Sequence, residues 1–132
     1  MIVVDSSVWI SHFANVLHPE VQTLRSIREL EEILVGELIL VEVLQGANSE
    51  SDAHDIQAEL GQFSSTTMLN RPISIRAAEN YRRLRERGIT VRTTIDLIIG
   101  TYCIEHGHQL LHRDRDFDQM QQLGLQIYTA AA

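Results

Sequence analysis

Short apolar runs alternate with longer amphipathic stretches along the chain, and this alternation predicts an α/β fold. The run Ile2–Val4 consists of β-branched residues, which favours a buried strand. Strands that alternate with helices in this way imply a central, mostly parallel β-sheet of about five strands flanked by helices. The four further strands are predicted over residues 33–35, 66–69, 109–112 and 125–128.

The stretches between these strands carry the signals of helices. Ser6 or Ser7 can cap a helix that runs to about Val16, and Pro19 opens a second helix. The apolar residues of this second helix recur at spacings of three and four as far as Leu34. Further helices are predicted over residues 38–44, 49–61, 75–88, 95–105 and 117–123.

The length and composition indicate one domain over residues 1–132. A chain of 132 residues with 44% hydrophobic positions can bury one core and is too short for two ordinary domains. The single Cys103 excludes an internal disulfide and a cysteine-based zinc site. There is no signal-peptide pattern and no apolar run near the ~20 residues that a membrane span needs. We therefore expect a soluble cytoplasmic protein with no membrane partner.

The 11 basic residues are all arginine, and the chain has no lysine. This excludes a Walker A loop, whose lysine reaches the phosphates, and any Schiff-base mechanism. Receiver domains and haloacid-dehalogenase-like phosphatases also place acids at strand ends, but both typically use an active-site lysine. Enzymes that depend on lysine are therefore excluded.

Acidic residues stand where the predicted sheet would bring them together. Ligands of open α/β sheets bind at the carboxyl ends of the strands. Asp5 follows the first strand directly, and Asp114 and Asp116 follow the strand at residues 109–112. Asp96 lies in the first turn of a predicted helix, where the helix dipole favours an anion.

Glu42 interrupts the otherwise apolar residues 38–44. A buried lone carboxylate is costly and normally takes up a proton unless a cation lies beside it. That cation can be an arginine, in a structural ion pair, or a metal ion. Each aspartate also has a structural explanation when it is taken alone. Asp5 can cap the first helix, Asp96 can be a favourable first-turn acid, and Asp116 can cap the helix predicted from Phe117.

Taken together, the acids are harder to explain as structural residues. Four carboxylates within about 5 Å repel each other by about 3 kcal/mol per pair at an effective dielectric constant of ~20. The sum over all pairs exceeds the stability of an ordinary domain, so such a cluster requires cations. Oxygen ligands alone fit Mg²⁺ or Mn²⁺ better than zinc, and carboxylate-held Mg²⁺ suits phosphoryl chemistry.

Four blocks, in this order, carry a resemblance to a known family: VDSSVWI, EVLQG, TTIDLIIGTYCIEHG and LLHRDRDFDQM. Together they resemble the PIN-domain ribonucleases, and especially the VapC-like toxins of type II toxin–antitoxin systems. The resemblance implies a single PIN-like domain and a Mg²⁺-dependent endoribonuclease that hydrolyses RNA with metal-activated water, leaving a 5′-phosphate and a 3′-hydroxyl. It also implies a cognate VapB-like antitoxin and a homodimer. The alternative is a catalytically weak PIN-fold binding module that acts mainly through its antitoxin.

The motifs of the family assign roles to individual residues. The resemblance implies that Asp5, Asp96 and Asp114 hold Mg²⁺, for which Mn²⁺ is a plausible substitute. Asp116 assists directly or through water, and Glu42 orients the attacking water or completes a second metal site; the sequence leaves both questions open. Ser7 matches a small hydroxyl residue that supports Asp5 in the family.

Two positions depart from the family pattern. Many relatives carry Asn where this chain has Asp114, which leaves open whether Asp114 binds the metal directly. His112 stands where Thr or Ser is frequent. It is a candidate for contact with RNA, and the alternative is a polar cap at the strand end.

The net charge of −7 at first argues against a nucleic-acid partner, but the charge is unevenly distributed. Residues 1–70 carry 11 acids and two arginines, whereas residues 71–132 carry seven acids and nine arginines. On the helix predicted from residue 75, Arg76, Arg83 and Arg87 form a stripe opposite the apolar face. A solvated helix face explains any one of them. As a set they are candidates for binding RNA phosphates near the acids.

Overall fold

Five parallel strands form a central sheet in the computed structural model, which describes residues 1–130. Their order across the sheet is β3-β2-β1-β4-β5, and all four neighbouring pairs are parallel. The expected mostly parallel sheet of about five strands is therefore confirmed. The strands are β1 (Ile2–Val4), β2 (Ile33–Gly36), β3 (Ser64–Thr66), β4 (Gln109–Leu111) and β5 (Gln126–Ile127).

Within residues 1–130, seven α-helices and two short 3-10 turns connect the strands. Parallel strands require such crossover connections, because each strand must start again from the same edge. In this part of the chain no helix is both long and apolar enough to cross a membrane. The helices are α1 (Ser6–Phe13), α2 (Pro19–Ser26), α3 (Glu37–Gln45), α4 (Glu50–Leu60), α5 (Arg71–Glu86), α6 (Thr94–His106) and α7 (Arg115–Gln119), and the 3-10 turns are Leu30–Glu32 and Met120–Leu123.

The order in which strands are added to the sheet reverses at β1, so β1 and β4 are neighbours although they are distant in the sequence. The chain first adds β2 and β3 on one side of β1, and then crosses to add β4 and β5 on the other side. This reversal creates a crevice at the carboxyl ends of β1 and β4, which is where open α/β sheets bind ligands. The backbone N–H of Asp5 donates to the carbonyl of Leu111 at 2.9 Å, so the two strand ends are joined at the crevice.

Helix α6 lies in the core and links the core to the crevice. Its residues from Leu97 to Cys103 are all buried, which explains why this segment is apolar around its whole circumference. A Cβ atom at Gly100 would collide with the side chain of the buried Met120. The absence of a side chain at Gly100 therefore lets the segment after α7 pack closely on α6.

The predicted boundaries were wrong at several elements. The third strand is Ser64–Thr66 and not residues 66–69, because Asn70 caps α5 and Glu37 accepts the N–H of Met68 outside the sheet. Helix α2 ends at Ser26, since Ile27 has an extended backbone, so Leu34 belongs to β2.

The other differences lie at element ends. Helix α1 stops at Phe13 rather than at about Val16, α5 begins at Arg71, and α7 begins at Arg115. The last strand is limited to Gln126–Ile127.

Candidate metal centre

Three aspartates meet at the crevice between β1 and β4. Asp96, Asp114 and Asp116 each offer a carboxylate oxygen, and these atoms all lie within 4.8 Å of one another. Asp96 is in the first turn of α6, where its backbone N–H donates to Thr93 Oγ1 at 3.2 Å. Asp114 caps α7 by accepting the N–H of Asp116 at 2.9 Å, so the alternative explanation of Asp116 as the cap of this helix does not hold.

Asp5 borders this group from the end of β1 and is only 3% exposed. Its Oδ2 caps α1 by accepting the backbone N–H of Ser7 at 3.1 Å, and it also accepts the Ser7 hydroxyl at 2.6 Å. The predicted contact between Ser7 and Asp5 is thus present. Within residues 1–130, the buried Oδ1 of Asp5 has no hydrogen-bond partner.

Ser7 also joins the two sides of the crevice. Its hydroxyl oxygen accepts the backbone N–H of Arg113 at 3.1 Å while the same hydroxyl donates to Asp5. One side chain therefore fixes the first aspartate to the segment that carries Asp114. This arrangement limits how far the acids can move apart.

Glu42 approaches the group from α3 and is half-buried. Its Oε1 accepts the hydroxyl of Ser6 at 3.0 Å, whereas the sequence had left open an ion pair with arginine. Burial raises the pKa of Glu42, the hydrogen bond from Ser6 opposes this, and the negative charge of Asp96 adds to the increase. The charge of Glu42 in turn contributes to the raised pKa of Asp5, for which burial is the main cause.

The neighbouring acids disfavour the ionised form of Asp96. Burial is the largest cause of the raised pKa of Asp96, which reaches about 6. The hydrogen bond with Thr93 lowers this pKa, and the charges of Asp5, Asp114 and Asp116 raise it further. Carboxylates under this mutual repulsion gain stability from a bound cation.

The side chains at the crevice fit a hard divalent cation. The set consists of carboxylate oxygens, which suit Mg²⁺ and Mn²⁺. Asp5 Oδ1 is a buried acceptor without a hydrogen bond in the described chain, as expected for an atom that binds an external cation. Asp96, Asp114 and Asp116 form the group of three, and Asp5 and Glu42 stand beside it.

Arg92 is a residue of the site that the sequence did not reveal. Its Nε and backbone N–H both donate to Asp116 Oδ2, at 3.0 and 3.1 Å, and its Nη2 donates to Asp114 Oδ1 at 3.0 Å. In the sequence it was only one of several arginines between residues 71 and 92. A possible signal was its place two residues before Thr94, where the helix carrying Asp96 begins.

His112 is buried at the end of β4, where the sequence had proposed either an RNA contact or a strand cap. Its Nδ1 accepts the backbone N–H of Asp114 at 3.0 Å. Burial lowers its pKa, and the charges of Asp118, Asp114 and Glu20 oppose that effect.

The three arginines proposed for RNA lie in different surroundings. Arg76 forms ion pairs with Glu79 and Glu105, each at 3.1 Å. Glu105 is nine residues beyond Asp96 on α6, which places it about 14 Å along the helix from that acid. Arg83 is exposed, and Arg87 donates to Gln122 at 2.8 Å.

This sheet topology, with carboxylates grouped at the switch point, defines an α/β protein with a candidate divalent-metal centre. The chain belongs to the PIN-domain family, because the sequence profile of the PIN domain matches residues 2–123. This confirms the resemblance found in the sequence.

Similar proteins support this assignment to the PIN-domain family. Ribonuclease VapC11 of Mycobacterium tuberculosis is 34% identical over 122 residues, which cover 89% of this chain and 90% of the relative. FitAcB from Neisseria gonorrhoeae has a similar structure, with a TM-score of 0.74, 18% identity, and coverage of 98% of this chain and 97% of its own. VapBC-1 from nontypeable Haemophilus influenzae has a TM-score of 0.73 at 16% identity, with 97% of each chain covered. The two structures establish similarity of fold alone.

Proposed function

We propose that this protein is a metal-dependent endoribonuclease toxin of the VapC type, acting in the cytoplasm. The observation that carries the proposal is the group formed by Asp96, Asp114 and Asp116, bordered by the buried Asp5 at the switch point. It is supported by 34% identity to a protein named as a ribonuclease over most of both chains.

Asp96 and Asp114 would hold Mg²⁺ or Mn²⁺, together with Asp5 and with Asp116 directly or through water. When bound, the ion supplies a Lewis acid that lowers the pKa of a water molecule and offsets the charge of the phosphodiester. Ser7 donates two hydrogen bonds to Asp5 Oδ2 and so orients the carboxylate, which leaves Oδ1 free to bind the ion. Glu42 orients the attacking water, and its raised pKa suits it to accept a proton.

We propose that Arg83 and Arg87 bind RNA phosphates outside the acidic group. Both lie near the end of α5 that leads into the loop carrying Arg92. Arg76 is the third candidate of the predicted stripe, but its ion pairs with Glu79 and Glu105 reduce the positive charge that it offers to RNA. Substrate binding is therefore expected to depend more on the first two.

We further propose a VapB-like antitoxin as an inhibitory partner and a homodimer as the working assembly. The proposal is supported by the likeness of the fold to that of VapBC-1 from Haemophilus influenzae, whose name joins a VapB and a VapC. Inhibition requires that the antitoxin cover the acids or the path of the RNA to them.

The test is RNA cleavage by the purified chain. We expect cleavage of total RNA in Mg²⁺ or Mn²⁺, none in EDTA, and loss of at least about a hundredfold in Asp96→Asn. Glu31→Gln is the matched control, since Glu31 is exposed on a 3-10 turn. Cleavage that persists in EDTA, or full activity in Asp96→Asn, would refute the mechanism. Sequencing of RNA ends after expression without antitoxin would identify the target.

A further inference from the structure

A cavity of about 470 Å³ adjoins the acidic group at the carboxyl end of β4. Asp114 belongs both to its wall and to the group of three aspartates. Glu20 from α2, His112 from the end of β4 and Tyr128 from the segment after β5 also line the cavity. A molecule that fills this cavity lies directly beside the candidate metal centre.

His112 presents an unused hydrogen-bond donor in this wall. Its side chain is 5% exposed, and its Nδ1 accepts the N–H of Asp114, so the proton of the neutral ring is on Nε2. Among the described residues, Nε2 has no hydrogen-bond partner. Asp118 Oδ1 lies 3.3 Å away but without the alignment that a hydrogen bond requires.

Glu20 presents an acceptor without a hydrogen bond in the same wall. Its Oε2 is buried and, over residues 1–130, makes no hydrogen bond, although it forms an ion pair with Arg113 Nε at 3.4 Å. Glu20 is also close enough for its charge to act on the imidazole of His112. Buried donors and acceptors without partners are rare in proteins, because each one costs free energy. Two such atoms in one cavity indicate a ligand with an acceptor next to a donor.

We propose that this cavity is a nucleobase subsite that selects guanine next to the scissile phosphate. The Watson–Crick edge of guanine places the O6 acceptor beside the N1–H and N2–H₂ donors. His112 Nε2–H would donate to O6, and the Glu20 carboxylate would accept from N1–H and N2–H₂. Tyr128 supplies an aromatic face for stacking, which is how proteins hold unpaired RNA bases.

Other ligands match the wall less well. A phosphate group would meet three carboxylates, those of Glu20, Asp114 and Asp118, against two guanidinium groups, those of Arg113 and Arg115, of which Arg113 already pairs with Glu20. An arginine or lysine side chain offers donors only and would leave His112 Nε2–H unpaired. Adenine and cytosine have a single exocyclic donor group on this edge, and uracil has a single N–H donor, N3–H, beside its O4 acceptor, so each satisfies the carboxylate less fully than guanine.

This inference rests on the proposed function, and its first test measures base preference in cleavage. With an RNA library randomised around one cleavage position, we expect wild-type protein to favour guanine at one fixed position beside the cut. Glu20→Gln should reduce that preference about tenfold or more, whereas Glu31→Gln should leave it unchanged. His112→Asn keeps an oxygen that can accept the Asp114 N–H but removes the Nε2 donor, so it should also weaken the preference for guanine.

Inosine lacks the N2 amino group and tests the role of Glu20 directly. Replacing the preferred guanine with inosine should slow cleavage by wild-type protein and have little further effect in Glu20→Gln. Cleavage without base preference, or a preference that persists in both variants, would overturn the subsite and leave the nuclease proposal intact.

A second test does not require cleavage. The Asp96→Asn protein is titrated with guanosine, inosine and adenosine while the imidazole signals of His112 are followed by NMR. We expect guanosine to shift these signals at lower concentration than inosine or adenosine, and Glu20→Gln to abolish the difference. If the protein cleaves no RNA but binds guanosine in this way, the proposed function fails and the subsite stands. Equal responses to all three nucleosides would reject the subsite.

Discussion

Arg92 Nε donates a hydrogen bond to Asp116 Oδ2 over 3.0 Å, and the backbone N–H of Arg92 reaches the same oxygen. The guanidinium also contacts Asp114, so the protein places a cation of its own on two of the three grouped aspartates. Each of these hydrogen bonds uses one oxygen of its carboxylate and leaves the other oxygen for a metal ion. Arg92 thus offsets the repulsion between Asp114 and Asp116 and fixes the orientation of both carboxylates.

Replacing Arg92 with glutamine should destabilise the metal-free protein, because two neighbouring carboxylates lose their cation. We expect the melting temperature in EDTA at pH 7 to fall by a few degrees, and Mn²⁺ to restore most of the loss. Arg28→Gln is the control, since Arg28 is exposed and, within residues 1–130, makes no hydrogen bond or ion pair with Asp114 or Asp116, whose arginine partner is Arg92. If Arg92→Gln melts like the control in EDTA, the guanidinium does not stabilise the acids.

The raised pKa of Asp96 predicts a pH dependence of stability in the absence of metal. Its pKa is about 6 in the folded protein against 3.8 for the free group, so the native state binds a proton that the unfolded chain has already released. This contribution to the free energy of unfolding therefore falls as pH rises from about 4 to about 6. Asp96→Asn cannot ionise, and its stability relative to wild type in EDTA should increase over that range. Urea unfolding at several pH values measures the difference, and a constant difference would contradict the prediction.

Asp114 should tolerate asparagine better than alanine. An amide oxygen can still accept the N–H of Asp116 to cap α7 and can still bind a metal ion, whereas alanine does neither. We expect Asp114→Ala to lose about 1 kcal/mol of stability through the cap and to bind Mn²⁺ at least tenfold more weakly than Asp114→Asn. Chemical denaturation and calorimetric titration with Mn²⁺ provide the two measurements. Equal Mn²⁺ affinity in the two variants would show that Asp114 is not a metal ligand.

Ser7→Ala should impair catalysis more than folding. The hydroxyl holds Asp5 Oδ2 at 2.6 Å and accepts the N–H of Arg113, so its loss frees Asp5 to rotate within the crevice. We expect about 1 kcal/mol lower stability and a decrease in kcat without a matching change in KM. Ser11→Ala is the control, because its hydroxyl donates only to a carbonyl of the same helix. A variant with wild-type kcat would exclude this positioning role.

The arginines of α5 should differ in their effect on RNA binding. We expect Arg83→Gln and Arg87→Gln each to weaken binding across all RNA sequences and to reduce the dependence of affinity on salt by about one charge. Arg76→Gln should have a smaller effect, since Arg76 already pairs with two glutamates. Filter binding of RNA to the Asp96→Asn background over a range of salt concentrations checks this order. If all three substitutions weakened RNA binding equally, Arg76, Arg83 and Arg87 would instead form a single RNA-binding surface.

The sequence predicted the parts of the fold that have a strong local pattern. The apolar Ile2–Val4 and the acids that follow the strands were sufficient to locate the crevice. Strand β3 has no such pattern, because Ser64–Thr66 is a polar edge strand, and the buried Met68 beyond it misled the prediction. Burial of Met68 arises instead from its packing near Gly36.

The missed features of the site depend on contacts between distant parts of the chain. Arg92 lies 22 to 24 positions from the two aspartates that it contacts, in a segment without regular structure. No spacing rule connects an arginine in a loop with acids at the start of a distant helix. The burial of His112 likewise follows from the packing around β4 and not from its neighbours in sequence.

The crevice between β1 and β4 has a consequence for synthesis of the protein. Asp5 and Ser7 leave the ribosome more than a hundred residues before Arg113 and Asp116. Since β1 obtains its neighbour at this edge only when β4 arrives, the acids cannot assemble on an incomplete chain. Nascent chains and products of premature termination before β4 are therefore expected to be harmless, and any destructive activity begins only once β4 and the acids that follow it have been made.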